Sequence, residues 1–299
     1  MKGIRAVAAL ACASALAVFT VCPVVPWTIK AVAAAPPDGE RFVQVVAHTD
    51  DDLLFMSPDL YGAVVGGRPS VTIYLTAGEG PSGLEDHYDP VAYVRERQEG
   101  VRAAYAYLAG VRDVWRSRTL VAGTVPVRVD TLRDRPAIEL VFAGLPDGGD
   151  PRADGGHDAL RRMWDGTACV HRFAGPSPNP CVSRQDVITM IRALLARYRP
   201  TVLRTLDPAP PNPADDHTDH VASARFAAAA APGSHARVVS YRGYTMTRWP
   251  SNLTLRARLL KRAVFEVYRH HDYRARSGGW RYRAWLRRMY MITRHEPGT

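Results

Sequence analysis

Residues Phe42–Asp52 read FVQVVAHTDDD. Of the first six all but Gln44 are apolar, and they lack the strict alternation of a half-solvated strand, as expected of a strand covered on both faces. His48 and three consecutive carboxylates follow at that strand's carboxyl end. Working outward, Val71–Thr76 (VTIYLT) repeats the buried-strand signature, and Pro90–Ala109 reads as a helix opening at Asp89-Pro90 and closing at Gly110. Thr119–Val129 and Ala137–Ala143 read as strands, singly or as a hairpin. Arg184–Tyr198 is a helix stopped by Pro200, Val202–Leu206 a strand, Thr218–Ala231 an alanine-rich helix and Leu255–His271 a basic helix. Strand and helix alternating in this way predict an α/β fold, a Rossmann-like, mostly parallel sheet flanked by helices, with a basic C-terminal helical extension. The Gly/Pro/Asp-rich Leu145–His157 reads as a long functional loop. No internal repeat is visible.

The chain of 299 residues, 46% hydrophobic and 23% charged, is too apolar for a disordered tail and too long for a disulfide mini-protein. Its charge is lopsided. From His235 onward there are 15 Lys+Arg against 3 Asp+Glu, a net +12, while the remainder carries 24 against 26. The basicity therefore belongs to the C-terminal segment. At the other end, Lys2 and Arg5 precede an uncharged run from Ala6 to Ile29, and Ala31-Val32-Ala33 offers a cleavage site. This predicts an export signal over residues 1–34, the alternative being a retained membrane anchor. Pro23 and Pro26 interrupt a helix and favour cleavage. Either way the protein is expected to be secreted or extracytoplasmic. Cys12 and Cys22 lie in the signal, which leaves Cys169 and Cys181, 12 positions apart, to form a disulfide in an oxidising compartment. A zinc site built on them lacks neighbouring Cys or His at finger spacing.

His48 with Asp50, Asp51 and Asp52 is costly in mutual repulsion unless a positive charge sits among them, and a divalent metal meets that need. The competing reading is a helix N-cap, which accounts for one Asp, or two, but not for His48. The second concentrated signal, Asp216-His217-Thr218-Asp219-His220, follows the strand Val202–Leu206 through a proline-rich loop and opens a helix. His217 and His220, at i and i+3, can face one centre. Together the two motifs supply the three ligands and open position of a hydrolytic zinc site.

His48-Thr49-Asp50-Asp51-Asp52 resembles the His-Pro-Asp-Asp-Glu motif of the PIG-L/LmbE-like family of zinc-dependent N-acetylglucosaminide de-N-acetylases, in its secreted bacterial form. His217-Thr218-Asp219-His220 is similar to that family's His-x-Asp-His motif. Thr76–Glu79, Arg95–Gly110, Leu145–Gly148 with Leu160 and Trp164, and Trp249-Pro250 with Lys261, Tyr268 and Asp272 extend the likeness over Phe42 to Asp272. Thr49 stands where the family has Pro, and Asp52 where it has Glu. The resemblance implies that His48, Asp51 and His220 hold Zn²⁺ with a position left for water, and that Asp50 is the general base. It implies further that His217, oriented by Asp219, stabilises the oxyanion. Arg68, Glu79 and Asp147 become expected sugar contacts through the loops they occupy. The implied reaction removes the acetyl group from an N-acetyl sugar or glycoconjugate. The domains expected are the signal (1–34), the catalytic domain (35–272) and a basic aromatic tail (273–299).

Rival readings are set aside on spacing. Polysaccharide deacetylases pair histidines as His-x-x-x-His, zinc peptidases carry H-E-x-x-H, and serine hydrolases carry G-x-S-x-G; none occurs here. A non-catalytic glycan- or envelope-binding protein on the same fold is the alternative function, and it has no use for Asp50. No nucleic-acid partner is expected, since the tail lacks a nucleic-acid motif and the chain is exported. Trp280, Tyr282, Trp285 and Tyr290 interleaved with arginines suggest instead an anionic membrane or cell-wall surface as the tail's partner, the other reading being a helix packing its aromatics on the domain.

Overall fold

The computed structural model describes residues 39–83, 85–147, 159–175 and 178–292. The expected signal, most of the Leu145–His157 loop and residues 293–299 lie outside the described residues. Eight strands form one sheet: β1 (Phe42–Val46), β2 (Ser70–Thr76), β3 (Trp115–Ala122), β4 (Val125–Leu132), β5 (Ile138–Leu145), β6 (Val202–Leu206), β7 (Arg237–Tyr241) and β8 (Met291–Ile292). Their order is β3-β4-β5-β2-β1-β6-β7-β8. The five central strands from β5 to β7 run parallel, whereas β3, β4 and β8 pair antiparallel at the two edges. The sheet is therefore mixed, with a parallel centre.

β1 explains the architecture. Every residue of it is buried, and its side chains alternate between two cores: Phe42 and Val46 in one, Val43 and Val45 in the other. Helices α1 (Asp51–Phe55), α2 (Asp59–Val65), α3 (Pro90–Ala109) and α7 (Leu255–Arg269) supply the first core. Helices α4 (Ala159–Trp164), α5 (Arg184–Tyr198) and α6 (Thr218–Ala230) supply the second. From β1 the chain goes to β2 on one side and later returns as β6 on the other. That switch point opens a crevice at the strands' carboxyl ends.

Two expectations change. Thr119–Val129 is not one strand: Ala122 pairs with Val125 across Gly123-Thr124, and Gly123 takes φ +60°, which a two-residue hairpin demands. The basic segment after Asp272 is not a separate tail where it is described. It forms α8 (Tyr273–Ser277) and α9 (Trp280–Trp285), and β8 then pairs with β7. Trp285 is buried, 5.5 Å from Phe55 and stacked on Tyr244 at 4.6 Å. The buried Lys261 Nζ donates to the carbonyls of Trp285 and Arg288. Tyr282 stacks on Phe265 and Tyr290 meets Trp249 edge-on, so Trp280 alone of the four aromatics stands exposed. The inward packing follows from amphipathic pairing: arginine stems can lie along apolar surface with their guanidinium heads in solvent, while the aromatic rings are covered. Cys169 and Cys181 form the expected disulfide, with Cα atoms 5.6 Å apart, beside the Val170–Val182 bridge.

Candidate active site

β1 and β6 are adjacent and parallel, so the two histidine motifs meet at their carboxyl ends. Asp51 and Asp52 form the first turn of α1, and the His48 backbone N–H donates to Asp51 Oδ2 at 2.7 Å. This return places the Asp51 carboxylate between two imidazoles. His48 Nδ1 lies 3.4 Å from its Oδ2, and His220 Nε2 lies 2.9 Å from its Oδ1. Each ring's other nitrogen meets a further carboxylate: His48 Nε2 is 3.0 Å from Asp147 Oδ1, and His220 Nδ1 is 2.8 Å from Asp216 Oδ1. Carboxylates in that position fix the tautomer and direction of histidines whose nearer nitrogen binds a metal.

Three further observations fit a metal ion. One ligand atom each from His48, Asp51 and His220 lies within 4.8 Å of the others. Despite its proximity to Asp51, His220 Nε2 makes no hydrogen bond among the described residues, which suits a lone pair facing a cation. The electrostatics agree. Burial disfavours charged imidazoles, yet Asp147 and Asp51 raise His48 well above its ordinary pKa, and Asp51 with Asp216 brings His220 up to about 9. Burial likewise opposes the Asp51 anion, but His220 and His48 hold it well below the carboxylate range. The cluster draws positive charge to its centre, and a divalent cation supplies it.

Asp50 faces a cavity of about 590 Å³ bordered also by His48, Arg97, Asp147, His217 and Tyr244. Burial pushes the Asp50 carboxyl up to about 6, and the Arg97 cation restrains the rise. Arg97, on α3, is itself buried. Its Nη2 donates to Asp50 Oδ1 at 2.8 Å, its Nη1 to the Gly78 carbonyl at 2.6 Å and its Nε to the Tyr268 hydroxyl at 2.8 Å. Asp272 Oδ2 lies 3.2 Å from Nε. Gly78 is needed there twice over: its φ is +76°, and a Cβ would come within 2.7 Å of Arg97 Nη1.

His217 is the N-cap of α6, where its Nδ1 accepts the Asp219 backbone N–H at 3.2 Å. Thus the Asp219 main chain holds the ring. The buried Asp219 carboxyl lies beside Asp147 instead, and burial followed by Asp147 raises its pKa well above the ordinary value. Burial, followed by the charges of His48 and His220, lowers His217 to about 3.

The three expected sugar contacts separate. Asp147 borders the cavity, but its Oδ1 faces His48 and its Oδ2 accepts the Gly80 N–H at 3.2 Å. Glu79 sits behind it, accepting the Asp147 N–H at 2.8 Å; burial and then Asp147 push its carboxyl up to about 8. Arg68 is a correction. It precedes β2, at the amino end of the sheet, whereas the site lies at the carboxyl ends. Strand direction puts it beyond reach.

The two departures in the first motif have structural roles. Asp52 Oδ2 accepts the hydroxyls of Tyr74 at 2.9 Å and Tyr105 at 2.5 Å, tying α1 to β2 and α3. Thr49 Oγ1 is 3.3 Å from the Tyr268 hydroxyl. Sequence reading missed the part of Arg97, although the signal was present: a charge inside the Tyr93, Val101, Tyr105 stripe at helical spacing. It also missed Asp216 as the partner of His220, four residues before it.

The sequence profile of a family described as "PIG-L: GlcNAc-PI de-N-acetylase" matches residues 43–231. Among curated proteins none matches the chain. Among solved structures, the chain resembles the zinc-inhibited form of the teicoplanin deacetylase Orf2, with 16% identity and a TM-score of 0.48 over 81% of this chain and 88% of that one. It also resembles a deacetylase–bog complex of teicoplanin biosynthesis, with 16% identity and a TM-score of 0.46 over 80% and 87%. A third is GalB, the 4-carboxy-2-hydroxymuconate hydratase of Pseudomonas putida KT2440, with 13% identity and a TM-score of 0.42 over 83% and 82%.

Proposed function

Because the chain belongs to the PIG-L family of de-N-acetylases, we propose that it is an exported, metal-dependent hydrolase removing the acetyl group from an N-acetyl sugar or glycoconjugate. The observation that carries this reading is the pair of carboxylate-backed histidines converging on Asp51 beside Asp50. His48, Asp51 and His220 would hold the ion, and two nitrogens with a carboxylate make zinc the first candidate. When bound, such an ion supplies Lewis acidity and makes water easier to deprotonate.

The chain's own residues do the rest. Asp50 accepts a proton at the cavity wall and returns it to the departing amine. Arg97 grips Asp50 Oδ1, leaving Oδ2 for that transfer. His217 uses Nδ1 to accept from the backbone, so its neutral ring carries the proton on Nε2, a donor for the developing oxyanion. Export through residues 1–34 belongs to the same proposal, and the Cys169–Cys181 disulfide supports it.

The test is metal analysis together with amine release across a panel of N-acetylated sugars and glycoconjugates. Stoichiometric metal with acetyl removal from at least one member is expected. A metal-free protein, or full metal without release from any member, would overturn the proposal.

A further inference from the structure

A second cavity, of about 390 Å³, lies against the first and shares Asp216 and Tyr244 with it. Its volume is within the range of small-ligand sites, ~300–1,000 Å³. Its remaining wall comes largely from two stretches beyond the family match at residues 43–231: the turn Tyr244–Arg248 and helix α9. Helix α9 divides the two cavities, with Tyr282 bordering the first and Trp280, Arg281 and Trp285 the second.

The lining has the chemistry of a carbohydrate site. Trp280 is 61% exposed, an unusual state for so large a ring, with the Arg281 guanidinium 5.9 Å from its centroid. The same lining holds the Asp215–Arg248 pair, joined by two hydrogen bonds of 2.7 and 2.9 Å. Within the wall, Thr245 Oγ1 and Trp285 Nε1 are buried without a hydrogen-bond partner among the described residues. Buried polar groups of that kind ordinarily find a partner, and a polar ligand or the water it displaces is the available one. An indole face for the C–H side of a pyranose, with an ion pair in the same cavity for its hydroxyls, suits a saccharide better than an acyl chain.

We propose that this cavity is a distal subsite holding a second saccharide unit of the substrate, with the N-acetylated unit in the first cavity. The substrate class is then a glycan or glycoconjugate of at least two units. The inference rests on the hydrolase reading for its place in the reaction, but its test reads binding.

The experiment is calorimetric titration of the full mature chain with N-acetylglucosamine and with its β-1,4-linked trimer, for the wild type, Trp280→Ala and Trp280→Phe. The wild type should bind the trimer at least tenfold more tightly than the monomer. Trp280→Ala should remove about tenfold of that advantage, the scale of one aromatic stack, and leave monomer binding unchanged. Trp280→Phe should restore part of it. Because Trp280 is exposed, both variants should melt like the wild type. Equal affinity for monomer and trimer, no binding of the trimer, or an undiminished advantage in Trp280→Ala overturns the subsite. Failure of the hydrolase reading would appear separately, as absent amine release from a protein whose length-dependent binding is intact.

Discussion

Gly243→Ala offers a test of the metal centre that alters no ligand and no proton carrier. A Cβ at this position would lie 2.5 Å from Asp216 Oδ2 and 2.7 Å from Oδ1. Non-bonded contact requires the carboxylate to retreat by roughly half an ångström or more. Asp216 Oδ1 is anchored by three donors: the His217 N–H at 2.9 Å, the Tyr244 N–H at 3.1 Å and His220 Nδ1 at 2.8 Å. A shift of that size breaks or stretches all three, and His220 loses the partner that sets its tautomer. Loss of such a partner costs about 10–100-fold in metal affinity. The equivalent free energy is about 1.4–2.8 kcal/mol. Competition against a chromophoric chelator of known affinity measures it directly. Asp216→Ala should show a similar loss, and adding Gly243→Ala to Asp216→Ala should cost little more, since the two changes act through one contact. Wild-type metal affinity in Gly243→Ala, or full additivity in the double variant, would refute the role given to Asp216.

Four other outcomes are expected. His48→Ala, Asp51→Ala and His220→Ala should each lose the metal by elemental analysis, whereas a full complement in all three would displace the site. Asp50→Asn should keep metal and fold but lose about 10²–10⁴-fold in turnover, the scale of a general base; near wild-type rates would remove it from the mechanism. Arg97→Ala should destabilise by about 3–5 kcal/mol in urea unfolding, because it leaves the buried Asp50 and Asp272 without their cation. An unfolding midpoint equal to the wild type's would contradict that packing. Deleting 274–299 should abolish folding or lower the melting temperature sharply. The deletion removes the Trp285 anchor, worth about 3–5 kcal/mol as a buried ring, together with the β8 pairing. A truncated protein that melts normally would restore the segment to the status of a detachable tail.

Much of this protein was legible from local pattern. Parallel strands covered on both faces are largely apolar, so β1 and β2 announce themselves despite Gln44 and Thr72, and capping chemistry marks α3 at both ends. His48, Asp50, Asp51, His217 and His220 were visible because strand ends in such sheets are where chemistry collects; the first three follow β1 directly and the two later histidines follow β6 through a proline-rich loop. What local pattern could not carry was any relation between distant segments. The Asp147 carboxylate that meets His48 comes from the end of β5, and the Arg97 that grips Asp50 answers to Tyr268 and Asp272 across the domain. Likewise, charge and aromatic content past Asp272 look the same whether the rings face solvent or a core. Only the β7 edge, the Lys261 side chain and the Tyr244 ring, brought there by the fold, decide that they are covered. Periodicity is a property of neighbouring residues. The partners that hold a site in place are chosen by packing, which only the tertiary structure decides.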